Sequence, residues 1–135
     1  MITEDYVSFE TAKLLKEKGF DERLDRYYTP DGELILYRVN GHYAYCNNSE
    51  HYNISVVPTL QMAMKWLREM PKIAYNIFIF ADGGDSGLLE YIYEIQEIDN
   101  ELMHVNGSLD TNNSRYESYE EACEAAIKYC LENLI

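Results

Sequence analysis

Apolar and polar positions follow two different periods along the 135-residue chain, and the switches between those periods mark its elements. Between Ser8 and Lys18, Phe9, Ala12 and Leu15 recur at helical spacing, broadened by Leu14. Ser8 stands at the N-cap, and Lys16 and Lys18 lie at the negative end of the helix dipole. Gly19 suits the left-handed C′ position, which sets Phe20 against Leu15 in a Schellman ending. An exposed charged stretch, Asp21 to Arg26, precedes Tyr27-Tyr28-Thr29-Pro30-Asp31-Gly32. There Pro-Asp-Gly supplies turn chemistry and leads into a strand over 33–39. Asn40-Gly41 predicts a hairpin, because both central residues of a type I′ turn need positive φ, with a return strand over 42–46. A polar loop, Asn47 to Glu50, and an extended stretch over 52–57 lead to Pro58-Thr59, which opens a second helix. Its buried face is Leu60, Ala63, Leu67 and Met70, with Met64 alongside and Pro71 as the stop.

In the second half, the run from Lys72 to Phe80 carries no charge after its first residue, the pattern of an interior strand. Ala81 to Gly87 turns the chain into a partner strand from Leu88 to about Ile98. Leu89, Tyr91, Tyr93 and Ile95 share one side of it; Glu90, Glu94 and Gln96 share the other, with Ile92 among them. Glu97-Ile98 interrupts this alternation and reads as a bulge or the strand's end. A short third strand is predicted from Glu101 to Val105 and a polar loop from Asn106 to Arg115. Ser118-Tyr119-Glu120-Glu121 is a capping box opening the last helix. Its face of Ala122, Ala126 and Tyr129 is extended by Cys123, Ile127, Cys130 and Leu134.

The order α-βββ-α-βββ-α, with hairpins imposing antiparallel pairing, predicts an α+β protein with helices on one face of an antiparallel sheet. A shift of 63 residues lays Ala63-Met-Lys-Trp-Leu-Arg-Glu69 on Ala126-Ile-Lys-Tyr-Cys-Leu-Glu132, and Ser55 on Ser118. The chain is thus expected to be a single domain, 1–135. The similarity allows an internal βββα duplication, 27–71 and 72–135, after helix 8–18.

Charge and composition narrow the function. The chain has 11 Lys+Arg against 24 Asp+Glu, net −13, and 13 Tyr against 4 Phe and 1 Trp. The acid excess excludes a generic nucleic-acid binder, which needs a basic surface to displace counterions from phosphates. No basic and apolar leader opens the sequence and no run is long and apolar enough to span a membrane, so a cytoplasmic protein with no membrane contact is expected. Three cysteines without CxxC spacing fit a reducing compartment. Cys123 and Cys130, seven apart on a helix, read as small buried hydrophobes. Asn-x-Ser sequons at Asn47, Asn53, Asn106 and Asn112 carry no weight without an export signal.

The constellations that could carry chemistry are weak. Asp110-x-Asn112-x-Ser114 with Glu121 resembles calcium-loop spacing, but Arg115 stands where that loop needs glycine. Asp82-Gly83-Gly84-Asp85-Ser86-Gly87 reads as a hairpin loop and is no phosphate cradle, since it leads into a strand and lacks lysine. His42 and Cys46 share a strand face but lie about 13 Å apart, too far to share an ion; His51 and His104 complete the transition-metal inventory. With no Gly-x-Ser-x-Gly elbow, no catalytic or metal residues and no cofactor are assigned, and the reading leans away from an enzyme.

Charge is uneven: residues 72–135 hold 3 basic and 13 acidic side chains, net −10. Tyrosines on predicted strands either seal a half-buried face or, on an uncovered sheet face, meet a partner. Trp66, about one residue off its helix's stripe, is an edge-of-core residue or an exposed anchor. The candidate interaction surface is therefore Tyr43, Tyr45, Tyr91, Tyr93, Glu90, Glu94 and Trp66. The leading expectation is a non-enzymatic module that binds a protein partner through a tyrosine-bearing sheet face or the acidic second half, with homo-oligomerisation also compatible. The alternatives are a small-molecule or enzymatic pocket between sheet and helices, and an acidic mimic of nucleic-acid phosphate acting on a basic host protein.

Three stretches carry a likeness: Val7 to Phe20, Pro58 to Glu69, and Tyr119 to Ile135. With them the chain resembles a family of short acidic proteins of anaerobic gut bacteria and of their phages and other mobile elements. The family has no assigned activity, so the resemblance implies a small accessory intracellular protein and no functional residues. Because mobile elements use phosphate mimics against host defence, it also favours that alternative.

Overall fold

The computed structural model describes residues 2–36, 38–39, 42–43, 47, 53–70, 72, 74–83, 87–99, 102–111 and 114–135. Its elements are α1 (Phe9–Glu17), β1 (Arg26–Tyr28), β2 (Leu34–Leu36), β3 (Arg38–Val39), β4 (His42–Tyr43), β5 (Ser55–Val56), α2 (Leu60–Glu69), β6 (Ala74–Asp82), β7 (Glu90–Asp99), β8 (Leu102–Gly107), the single-turn α3 (Ser108–Thr111) and α4 (Tyr119–Tyr129), which runs into a π-helical turn, Cys130–Leu134. All strand pairs among the described residues are antiparallel, so the α+β class holds, with helix and strand groups in the expected succession. The chain forms two compact units, Met1–Gln61 and Met62–Ile135, whose boundary falls inside α2.

In the first unit, local chemistry sets both ends of α1. The Ser8 hydroxyl accepts a hydrogen bond from the Thr11 amide at 3.2 Å. At the other end Gly19 has φ +98°, the Phe20 amide donates to the Leu15 carbonyl at 2.9 Å, and that of Gly19 donates to Lys16 at 3.1 Å. This is the Schellman ending, with Phe20 and Leu15 both buried. Arg26-Tyr27-Tyr28, expected as charged stretch and turn, is instead the central strand of a sheet ordered β2-β1-β5. The turn forms at Pro30-Asp31-Gly32, as expected. Gly32, at φ +87°, donates to the Thr29 carbonyl at 2.9 Å, and its backbone sits so near Phe9 that a Cβ would lie 3.3 Å from the ring. β3 and β4 flank Asn40-Gly41 in the register of a two-residue hairpin, Val39 opposite His42; the turn residues and 44–46 of the expected return strand lie outside the described residues. Asn47, read as loop, is buried. Its side chain donates to the Phe20 carbonyl at 2.6 Å and accepts from the Val56 amide at 2.9 Å, tying helix exit to β5.

Across the boundary, α2 buries Leu60, Ala63, Met64, Trp66 and Leu67. Met70, expected on that face, is 63% exposed because it lies beyond the last helical residue, Glu69, and leaves the stripe.

The second unit is a meander, β6-β7-β8, whereas the first sheet is not in chain order. β6 was expected inside a sheet; among the described residues it stands at the end of this one. The interruption at Glu97-Ile98 is neither bulge nor end, since pairing runs on through Asp99 opposite Leu102. Glu97 is tolerated on the inward-facing side because it is only half-buried and accepts from the Asn106 side chain at 2.8 Å. Nor is 106–115 all loop: β8 reaches Gly107, and α3 follows.

α4 covers one face of this sheet. Its capping box forms as expected, with the Ser118 hydroxyl accepting from the Glu121 amide at 3.1 Å and the Glu121 carboxylate from the Ser118 amide at 3.2 Å. Ala122, Cys123, Ala126, Ile127, Cys130 and Leu131 are buried along its inner side. The outer edge of β7 is satisfied in three successive ways. β8 pairs with Glu94 to Asp99. The fully buried Ser108 hydroxyl accepts from the Tyr93 amide at 3.2 Å. The Tyr91 and Tyr116 backbones exchange two bonds of 2.8 Å.

Candidate functional site: the open face of the second sheet

Register assigns every side chain of β6 and β7 to a face. Ile77 opposes Ile95, Ile79 opposes Tyr93 and Ala81 opposes Tyr91 on the α4 side. Phe78 opposes Glu94, Phe80 opposes Ile92 and Asp82 opposes Glu90 on the other. β8 adds Val105 and Gly107 to that second face, opposite Gln96 and Glu94. The α4 side is closed: Tyr75, Ile77, Tyr93 and Ile95 are buried. On the other side Phe78 is 42%, Phe80 45%, Val105 48% and Ile98 49% exposed, apolar groups spread over three strands with Gln96 and Glu94 between them on β7.

Two of the expected surface tyrosines thus belong to the covered side. Tyr93 is 1% exposed, its ring 6.1 Å from Tyr116 and 6.4 Å from Tyr129; Tyr91 is half-buried, edge-on to Tyr119 at 6.4 Å. Aromatic pairing beneath and beside α4 absorbs them. Trp66 is buried, 9% exposed, and takes the edge-of-core place. Tyr43 lies in β4, with only its backbone described, and Tyr45 lies outside the described residues. Of the five expected residues whose side chains are described, Glu90 and Glu94 come together on the open face and the other three do not. Phe78, Phe80, Ile98 and Val105 were missed. For the two phenylalanines the signal was their alternation with Ile77 and Ile79 along β6, which reading the chargeless run 73–80 as interior left without a solvent side.

The carboxylates on this face differ in their surroundings. Asp82 and Glu90 stand directly across from one another, where like charges repel. Arg115 spans them, its Nε 2.9 Å from Asp82 and 3.6 Å from Glu90. Glu94 is more central, half-buried between Phe78 on β6 and Gly107 on β8, and accepts from the Gln96 amide nitrogen at 3.4 Å. Gly107 has no side chain, so Glu94 is flanked by a ring on one side only.

Nucleophilic and metal chemistry finds little support among the described residues. No group of three His, Cys, Asp or Glu could hold a metal ion. Glu121, the last residue of the calcium-like spacing, is engaged by the helix cap. Burial pushes the Cys123 thiol up to about 11 and that of Cys130 to about 12, so both are protonated at neutral pH. Among the described residues no helix is long and apolar enough to cross a membrane. Comparison with protein-family models, curated proteins and solved structures returns no match.

Proposed function

We propose that the chain is a protein-interaction module that docks a partner on the open face of β6-β7-β8. The observation that carries this reading is the asymmetry of one sheet: α4 closes one side, while four large apolar residues on the other stay 42–49% exposed. Burying such groups is worth about 25 cal/mol per Å² of apolar area removed from water, a gain left unused in the free chain. The face spans three strands and about five residues, roughly 14 by 17 Å at ordinary strand spacings. That is about 250 Å², well below the ~800 Å² per partner of a standard interface between folded domains. It fits a single segment of a partner.

Panning a display library of random peptides of about twelve residues against the immobilised full chain tests this. Binders should lose affinity for the double variant Phe78→Ser/Phe80→Ser, whose thermal midpoint should match wild type. A library yielding no binder, or only binders indifferent to that variant, would refute the docking reading.

A further inference from the structure

We infer that the segment docking on the open face is an arginine-bearing apolar stretch of a basic protein, its guanidinium seated on Glu94 against the Phe78 ring. The inference rests on the docking reading above and adds the identity of the occupant. Charge selects it first. The stretch from 72 to 135 is net −10, and the rim pair Asp82 and Glu90 already has Arg115. Glu94 stands centrally within the apolar face, and its hydrogen bond comes from a neutral amide.

A partner that covers Phe78, Phe80 and Val105 also removes water from this carboxylate. A buried carboxylate without a cation costs several kcal/mol, so an uncharged apolar segment would lose much of its gain. A second copy of this chain fares worse, because a two-fold contact centred here sets carboxylate against carboxylate. Arginine is favoured over lysine because its planar guanidinium pairs with a carboxylate and lies flat on an aromatic ring at the same time.

The first unit already contains this arrangement. Arg26 lies over the Tyr6 ring, 3.7 Å from the centroid, with its Nε 3.3 Å from Asp25. On the open face the carboxylate of β7 and the ring of β6 stand opposite one another, and the cation would come from the partner.

The test uses the peptides selected above, their affinities measured by titration against full-length variants. Selected sequences should carry an arginine among aliphatic or aromatic residues. Glu94→Gln should weaken them about tenfold or more, the usual worth of a charge-assisted bond. Glu120→Gln, the same loss of charge on exposed α4 surface, should change affinity less than about twofold and so separates a seated cation from bulk attraction. Peptides that need Phe78 and Phe80 but bind Glu94→Gln as well as wild type would overturn the arginine inference and leave the docking face intact. Equal losses in Glu94→Gln and Glu120→Gln would also overturn it. So would a dimer in light scattering that Phe78→Ser/Phe80→Ser dissolves, since the occupant would then be a second copy.

Discussion

The two faces of the β6-β7-β8 sheet are built from the same strands and differ by one residue of register, yet they invert the usual preference. Tyrosine is the more polar ring, and here Tyr75 and Tyr93 are buried; phenylalanine is the more apolar, and here Phe78 and Phe80 are half-exposed. Tyrosine is stable inside because each polar group in that interior has somewhere to go. The Tyr75 hydroxyl donates to the Leu134 carbonyl at 2.8 Å, in the π-helical turn that follows α4. The lesson is that hydrophobicity ranks residues for burial only when a covering element is available. α4 can cover one face, and the face that offers ring-to-ring packing with Tyr116, Tyr119 and Tyr129 is the one it covers.

The comparison can be broken most sharply by truncating a ring on each side. Tyr93→Ala should cost about 3–5 kcal/mol in urea unfolding, the price of a large core cavity, whereas Phe80→Ser should stay within about 0.5 kcal/mol of wild type. Equal costs would mean that both faces are core. Raising the pH probes the covered side alone. The folded pKa values of Cys123 and Cys130 lie above the ordinary thiol value of 9.0, so the folded state holds their protons longer than the unfolded chain. Their contribution is therefore complete below about pH 9 and is lost as pH climbs toward 11 and 12. Denaturation midpoints should fall across that window, and replacing both cysteines with alanine should flatten the fall.

Smaller effects sharpen the picture. Tyr75→Phe deletes one buried hydroxyl bond and should cost about 1 kcal/mol, read in the same unfolding assay. On the open side, Arg115→Met should cost about 0.5 kcal/mol at low salt and less as ionic strength rises, because the Asp82–Glu90 repulsion it relieves is solvent-screened. A salt-independent loss would place that clasp in the core instead.

Legibility from sequence followed the range of the interactions. The Ser8 cap, the Gly19 ending and the Ser118 capping box were readable because each closes within a few residues. The Asn40-Gly41 signal gave a register that β3 and β4 keep. Arg26-Tyr27-Tyr28 was not readable as a central strand, since its pairing comes from β2 and from β5, some thirty residues away. Asn47 and Ser108 look like ordinary loop residues, and only the folded chain brings backbone groups of distant residues to their side chains.

The same division runs through the candidate site. Alternation determined by itself that Phe78 and Phe80 share one side of β6 and that Ile92 and Glu94 share the side of β7 opposite to Tyr91, Tyr93 and Ile95, because successive side chains of a strand must point to opposite sides; matching the two strands took the register of the folded sheet. It left open which face meets water, since both carry apolar residues and alternation is blind to a sign change. Only the docking of α4 decided that, through contacts between residues far apart in the chain, and it turned an excess of tyrosine into core and a few phenylalanines into surface.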